Sequence, residues 1–274
     1  MRSANVTADP LPRMFPSTIR EINALPEHEK QAIYRTLIPD WVFVDYGIDS
    51  QTLTYNGFPV VQFRARAGTR AVEIIVKREA GDLDPMLYLN VADTYNHHII
   101  VMLVVLNDPA APRFNTDIDE YGNKTQFGTV SRNIYAEIAA MKYGLAPGQV
   151  RAGLRAFKSA VPIFEQFVSR MGRDSFLIEP LAYHNALIFE RRGFDYLYGL
   201  KDMQRIHAEF QPGGDLHARL DGRSPFRQPD QWRTARGRSW AIHDGVLGHP
   251  FTGFQMRKVV GVDAGINTFP DFAW

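Results

Sequence analysis

Three carboxylates fall near the ends of segments that the sequence marks as strands or helices: Asp93, Glu137 and Glu179. A carboxylate so placed can take a proton directly or through one water, which makes each a candidate general base. The run Tyr183-His184-Asn185 offers a phenol, an imidazole and an amide, and Asn185 stands three residues after Ala182, a step that on a helix returns nearly to the same face. Other groupings carry less chemistry. His97 and His98 are adjacent, so in a strand they point to opposite faces and do not chelate one ion together. Asp117-Ile118-Asp119-Glu120 has the opening of a calcium loop, but Tyr121 and Gly128 stand where an oxygen ligand and a Glu are needed, so a solvated acidic loop is expected. Adjacent residues such as His243 and Asp244 rarely meet in catalytic geometry, and the chain has no G-x-S-x-G nucleophile, which argues against a hydrolase triad. Arg219, Arg223, Arg227, Arg233, Arg236 and Arg238 flank Phe226 and Trp232. Such a cluster suits phosphates and a stacked base, with a loop neutralised by Asp215, Asp221 and Asp230 as the plainer alternative.

Composition removes whole classes of chemistry. There is no cysteine, which excludes disulfides, thiolate zinc sites and thiol nucleophiles. Basic and acidic residues number 31 and 30, a balance unlike that of a dedicated nucleic-acid binder. The segment Met1 to Phe15 has no apolar core of the secretory type, and residues 1–16 are expected to form a loose arm. The longest apolar run, Ile99 to Leu106, is far shorter than the roughly 20 residues a membrane helix needs. A cytoplasmic location fits these features, with neither membrane nor nucleic acid as an expected partner and self-association left open.

The elements that must position these groups follow from periodicity. A short amphipathic helix starts after Pro26 and carries Ile33 and Leu37. Four β segments follow, at Val60–Phe63, Val72–Val76, Leu87–Val91 and Ile99–Leu106, and their short connections predict an antiparallel meander. Residues 107–130 form a long polar loop, Ser131 caps a helix that ends at Gly144, and 211–239 reads as irregular. Val150, Leu154, Phe157, Val161, Phe164, Val168 and Met171 step by three and four, which predicts one long helix kinked near Pro162. Phe176–Ile178 is a buried strand, a helix runs from about His184 to Arg192, Tyr196–Tyr198 and Phe254–Val260 are further strands, and Asp202–Phe210 is a short helix.

The order helix, strand, helix, closing at Ile188–Phe194 on IFERRGF, resembles the second half of the GNAT (GCN5-related) N-acetyltransferase fold, which commonly closes on a segment like LYERLGF. The resemblance implies an α+β domain over 1–199, with a mixed, centrally splayed sheet flanked by helices, and a C-terminal extension, 200–274, packed on it. It implies transfer of an acyl group from acetyl-CoA or another acyl-CoA to a small-molecule or peptide amine, without a metal. By resemblance, Ile99–Leu106 and Phe176–Ile178 are the splayed strands, with Leu103 and Val104 against the pantetheine. The pyrophosphate would meet Gln149, Arg151 and Gly153 at a helix beginning near Pro147. The sequence departs from the family in two places. No register of Gln149–Ala156 meets all three positions of the pattern Gln/Arg-x-x-Gly-x-Gly/Ala, and Phe189 and Ala182 stand where a general-acid Tyr and an Asn are usual. Tyr183 and Asn185 are the substitutes within reach, and Glu179 is the candidate base. Two rival functions share the fold: a non-catalytic ligand-binding or interaction protein, and a transferase using an acyl carrier protein or aminoacyl-tRNA as donor.

Overall fold

The computed structural model describes residues 14–128, 130–271, 273 and 274, so most of the expected arm at 1–16 lies outside the described residues. Helix α1 (Ile19–Asn23) starts from a capping box, in which the Thr18 hydroxyl accepts from the Glu21 N–H and the Glu21 carboxylate accepts from the Thr18 N–H. Helices α2 (Glu27–Arg35) and α3 (Asp40–Asp45) each begin directly after a proline, which suits a first turn whose N–H groups lack intrahelical partners. A small hairpin, β1 (Thr54–Tyr55) with β2 (Phe58–Pro59), leads into the main sheet.

Four strands form the meander that alternation predicts: β3 (Val61–Arg64), β4 (Ala71–Val76), β5 (Leu87–Asp93) and β6 (Ile99–Leu106). Next to β6 lies β7 (Ser175–Ile178), and this one pairing is parallel. Parallel neighbours need a crossover, and helix α5 (Phe157–Arg170) supplies it. Helix α4 (Ile134–Tyr143) precedes α5, and helix α6 (Tyr183–Glu190) joins β7 to β8 (Asp195–Tyr198). Helices α7 (Leu200–Glu209), α8 (Asp215–Ala218) and α9 (Ala235–His243) follow, and then β9 (Gln255–Val259) inserts between β7 and β8. The result is a seven-stranded mixed sheet in the order β3-β4-β5-β6-β7-β9-β8, open at both edges and flanked by helices.

Three sequence expectations are corrected here. The long helix begins at Phe157, so Val150 and Leu154 are not part of its stripe. Instead the backbone from Val150 to Leu154 bonds to Phe114, Asp108 and Leu106 in an extended course beside the end of β6, and this non-local pairing outweighs the helical period. Pro162 lies inside this helix, near its start, and leaves the carbonyl of exposed Lys158 without its intrahelical donor. The α4 cap is Asn133 rather than Ser131, its side chain accepting from the Ala136 N–H. Residues 211–239, expected to be irregular, contain α8, a 3-10 turn at Gln231–Arg233 and the start of α9.

One face of the sheet carries the core. Val72, Ile74, Leu89, Val91 and Ile99 meet Ile19, Ile22, Tyr34, Phe164 and Phe167, while Ile75, Ile100 and Leu177 point away from this cluster. The Phe164 ring lies 4.7 Å from Phe176 and 6.0 Å from Phe167. Phe164→Ala is therefore expected to destabilise the fold by about 3–5 kcal/mol, and the half-buried Phe157 by roughly half as much. Denaturant midpoints at constant m value measure both, and equal losses would contradict the burial difference.

Candidate active site

The central pair of strands stays together for only a short distance. β6 and β7 pair at Ile99–Phe176, Ile100–Leu177 and Val101–Ile178, and there β7 ends. At the same level β6 carries a bulge. Val91 of β5 pairs with Val101 and Asn90 with Leu103, which leaves Met102 as an extra residue without a cross-strand partner. A bulge bends its strand and sharpens the local twist, and such bends are common beside active sites. From Met102 to Leu106 the edge of β6 runs on with no strand beside it on the β7 side. Val104, Leu106, Phe157, Ala160 and Ile178 line an apolar cleft of about 50 Å3 at this opening.

The far end of that edge is closed by the chain before α5. Gly153 forms a bridge with Asn107, and the Leu154 N–H donates to the Leu106 carbonyl. A Cβ on Gly153 would stand 3.2 Å from the Leu106 oxygen, so the close approach favours glycine. Arg155 then takes a left-handed conformation, φ 54°, which is uncommon for a side-chain-bearing residue. The first turn of α5 has no capping side chain at Ala156 and no acidic residue, and it carries exposed Lys158. Its free N–H groups and the helix dipole thus present a positive end beside the cleft.

Of the residues named from the sequence, the fold gathers some and disperses others. Val104 lines the cleft, Leu103 lies on the same unpaired stretch of β6, and Gly153 abuts its end. Glu179 is exposed directly after β7, where its carboxylate accepts from Gln255 at 3.1 Å. Asn185 occupies the first turn of α6. Gln149 and Arg151 do not form a phosphate cradle, because each is committed elsewhere. The Gln149 side chain closes a turn on the Ala146 N–H, and Arg151 donates to Asp84 at 2.9 Å and to the Ala111 carbonyl at 2.6 Å. The start of α5 at Phe157 moves the orphan N–H groups away from Pro147 for the same reason.

Tyr183 is fully buried and does not face the cleft as a free acid. Burial, the largest influence, pushes its hydroxyl up to about 12 although the adjacent Arg238 pulls the other way. Two of the three candidate bases are structural. Asp93 accepts from the N–H groups of Ile19 and Arg20 at 2.9 Å each and so anchors α1. Glu137 is buried, which by itself raises its pKa, but hydrogen bonds from His243 and Arg132 reverse this and hold it below the usual carboxylate range. His243 and Asp244 do not pair with each other, as their adjacency led one to expect: His243 pairs with Glu137 at 3.1 Å, while Asp244 receives Arg132 at 2.9 Å and Arg227 at 2.8 Å.

The arginine cluster also separates in three dimensions. Arg219 donates to the Val246 carbonyl, Arg236 to the Gly144 carbonyl, Arg223 pairs with Asp221, and Arg238 is buried. The Trp232 ring meets His217 edge-on at 5.7 Å and lies 5.5 Å from the Arg233 guanidinium. Sequence reasoning missed the Arg155-Lys158 pair because α5 was expected to start ten residues earlier. It also missed the His184–Ser239 pair, whose partners lie on α6 and α9 and share no local motif.

No family model, curated protein or solved structure matches this chain. Among the described residues no group of three or more metal-ligating side chains is gathered, and no helix is long and apolar enough to cross a membrane.

The buried His184 has a measurable consequence. Its Nδ1 lies 2.8 Å from the Ser239 hydroxyl, and burial, aided by the charge of His243, pulls its pKa down to about 3. Below the ordinary histidine value the unfolded chain takes up a proton that the native chain refuses, so stability falls as pH drops. Between pH ~6.5 and ~4.5 this costs roughly 2–3 kcal/mol. Denaturant titrations of the wild type and His184→Asn should show this part of the slope in the wild type alone. Identical pH profiles would contradict a neutral buried imidazole.

Proposed function

We propose that the chain is an N-acyltransferase that takes its acyl group from an acyl-CoA and passes it to an amine. The observation that carries this reading is the early parting of β6 and β7 at the Met102 bulge. It leaves strand-edge groups, an apolar cleft and a positive helix start side by side. A pantetheine chain suits such an opening because its amides can bond to the free edge of β6 while its methylenes meet Val104 and Phe157. Its pyrophosphate would be held by the first turn of α5, with Lys158 and Arg155 supplying charge.

In this reaction the amine nitrogen attacks the thioester carbonyl, the N–C bond forms, and the C–S bond breaks. The proton lost by nitrogen passes to Glu179, directly or through a water, and the CoA thiolate leaves and is protonated from solvent. A thiolate is a fair leaving group because a free thiol has a pKa of about 8.5, so the reaction does not demand a strong acid at the position of Phe189. That position is closed to proton transfer, since Phe189 is buried against Phe157 and Phe194 at 5.5 and 5.4 Å. The same feature favours a second reading, a protein that binds the acyl-CoA without turning it over.

Binding and turnover are tested separately. An acyl-CoA should raise the melting temperature, by an amount equivalent to about 2.7 kcal/mol at 100 times the dissociation constant. Lys158→Glu places a negative charge at the positive end of α5 and should weaken CoA binding roughly five- to tenfold, with less effect at high salt. Glu179→Gln should leave affinity intact and slow any release of free CoA in the presence of amines. No melting shift at millimolar acyl-CoA would remove both readings, whereas binding without CoA release would select the second.

A further inference from the structure

Arg238 is a buried charge without a counter-charge. It lies on α9, is fully buried, and uses only part of its hydrogen-bonding capacity. Nε donates to the Trp232 carbonyl at 2.6 Å, and Nη1 lies 3.1 Å from Nδ1 of His207 and 3.4 Å from the Tyr183 hydroxyl. Nη2 has no partner at all. The rings of Phe269 and Phe210 cover the guanidinium with their centroids 3.9 and 5.2 Å from its central carbon. Burial lowers the pKa of Arg238 and, as the first cause, that of His207, so His207 is a neutral neighbour and not a rival cation.

Other buried cations in the molecule are compensated. Arg132 reaches Glu137 and Asp244, and Lys258 lies 3.6 Å from Glu165. Arg35, Arg70, Arg192 and Arg257 each have an unpartnered nitrogen too, but all four side chains are partly exposed. Cation–π contact offsets some of the desolvation of Arg238, yet a buried guanidinium normally keeps an acidic partner. What covers it is the C-terminal segment. Thr268 is tied to Glu190 by its N–H at 2.8 Å and its hydroxyl at 2.7 Å, Phe269 closes over Arg238, and Ala273 accepts from the Ala235 N–H.

We propose that Arg238 is the receptor of a small oxyanion, a carboxylate or a phosphate group, which binds on Nη2 and Nη1 beside His207 and Tyr183 when the segment carrying Phe269 lifts. A two-oxygen anion matches the planar fork of a guanidinium, and Nη2 is the donor left free for it. His207 and the Tyr183 hydroxyl then border the anion and limit its size. Phe269 is the gate, and the hydrogen bonds of Thr268 to Glu190 are its hinge-side anchor. This site is independent of the acyl-CoA reading, since none of its residues lines the cleft between β6 and β7.

The test compares melting of the full chain in acetate, inorganic phosphate and chloride at equal pH and ionic strength. Acetate or phosphate should raise the wild-type melting temperature above its chloride value, and which of the two does so identifies the group. Arg238→Met should abolish the excess and, in chloride, melt no lower than the wild type, because it removes an unpaired buried charge at similar volume. Phe269→Ala keeps the guanidinium and opens its cover, so the response should occur at lower anion concentration. That variant decides the matter if Arg238→Met fails to fold. Wild type and Phe269→Ala that respond to all three salts alike would overturn the proposal, as would an anion response that survives in Arg238→Met.

Discussion

Met102 is one residue more than β5 can pair, and the bend that an extra residue imposes on a strand acts at the centre of this sheet. β7 stops at that level, so the two parallel strands pair only between Ile99–Val101 of β6 and Phe176–Ile178 of β7. The rest of the molecule accommodates this stop. α5 closes the crossover on the core face through Phe164, which meets Phe176 at 4.7 Å, and Phe176 in turn meets Phe194 edge-on at 5.5 Å. These aromatic contacts hold α5, β7 and the start of β8 together below the opening, so the cleft can remain apolar without the strands collapsing onto it.

The buried carboxylates show how the chain assigns its charges. Asp93 fixes the start of α1, Glu137 joins α4 to α9 through His243, and Glu190 joins the Tyr196 hydroxyl to Thr268 near the C-terminus. Each spans a long sequence separation and each is satisfied on both oxygens or by two donors, as a buried charge requires. These groups are fasteners. Of the three candidate bases Asp93, Glu137 and Glu179, the last is the one open to solvent, and it stands where β7 ends. Arg238 is the exception among the buried cations, and it lies beneath Phe269 of the C-terminal segment.

Ligands of open sheets with parallel strands gather beyond the carboxyl ends of those strands. Here that end collects the Val150–Leu154 segment, the start of α5, Glu179 and the first turn of α6. Asp84 receives both Arg113 and Arg151 at 2.9 Å and so pins the long 107–130 loop to the segment before α5. The polar sequence of the loop thus reflects ion pairing as much as solvation.

The sequence by itself determined the elements whose periodicity is local. All four meander strands, β7, β8, β9, α6 and α7 are found within a few residues of where alternation and helical spacing put them. The apolar stripe from Phe157 to Met171 does face the core. Val104 and Gly153, both named from the family resemblance, lie beside the opening of β6. Tertiary structure decided what depends on distant partners. Val150 and Leu154 fit the helical stripe, yet bonds to Leu106, Asp108 and Phe114 hold their segment extended. Tyr183 has the side chain of a general acid, but α9 brings Arg238 against it and buries it. The six arginines look like one patch in the chain, and only folding shows that Arg219, Arg227 and Arg236 bind Val246, Asp244 and Gly144 while Arg238 is buried. A charged or polar side chain reveals its chemistry in sequence, whereas its partner, and hence its role, is set by which remote element the fold places against it.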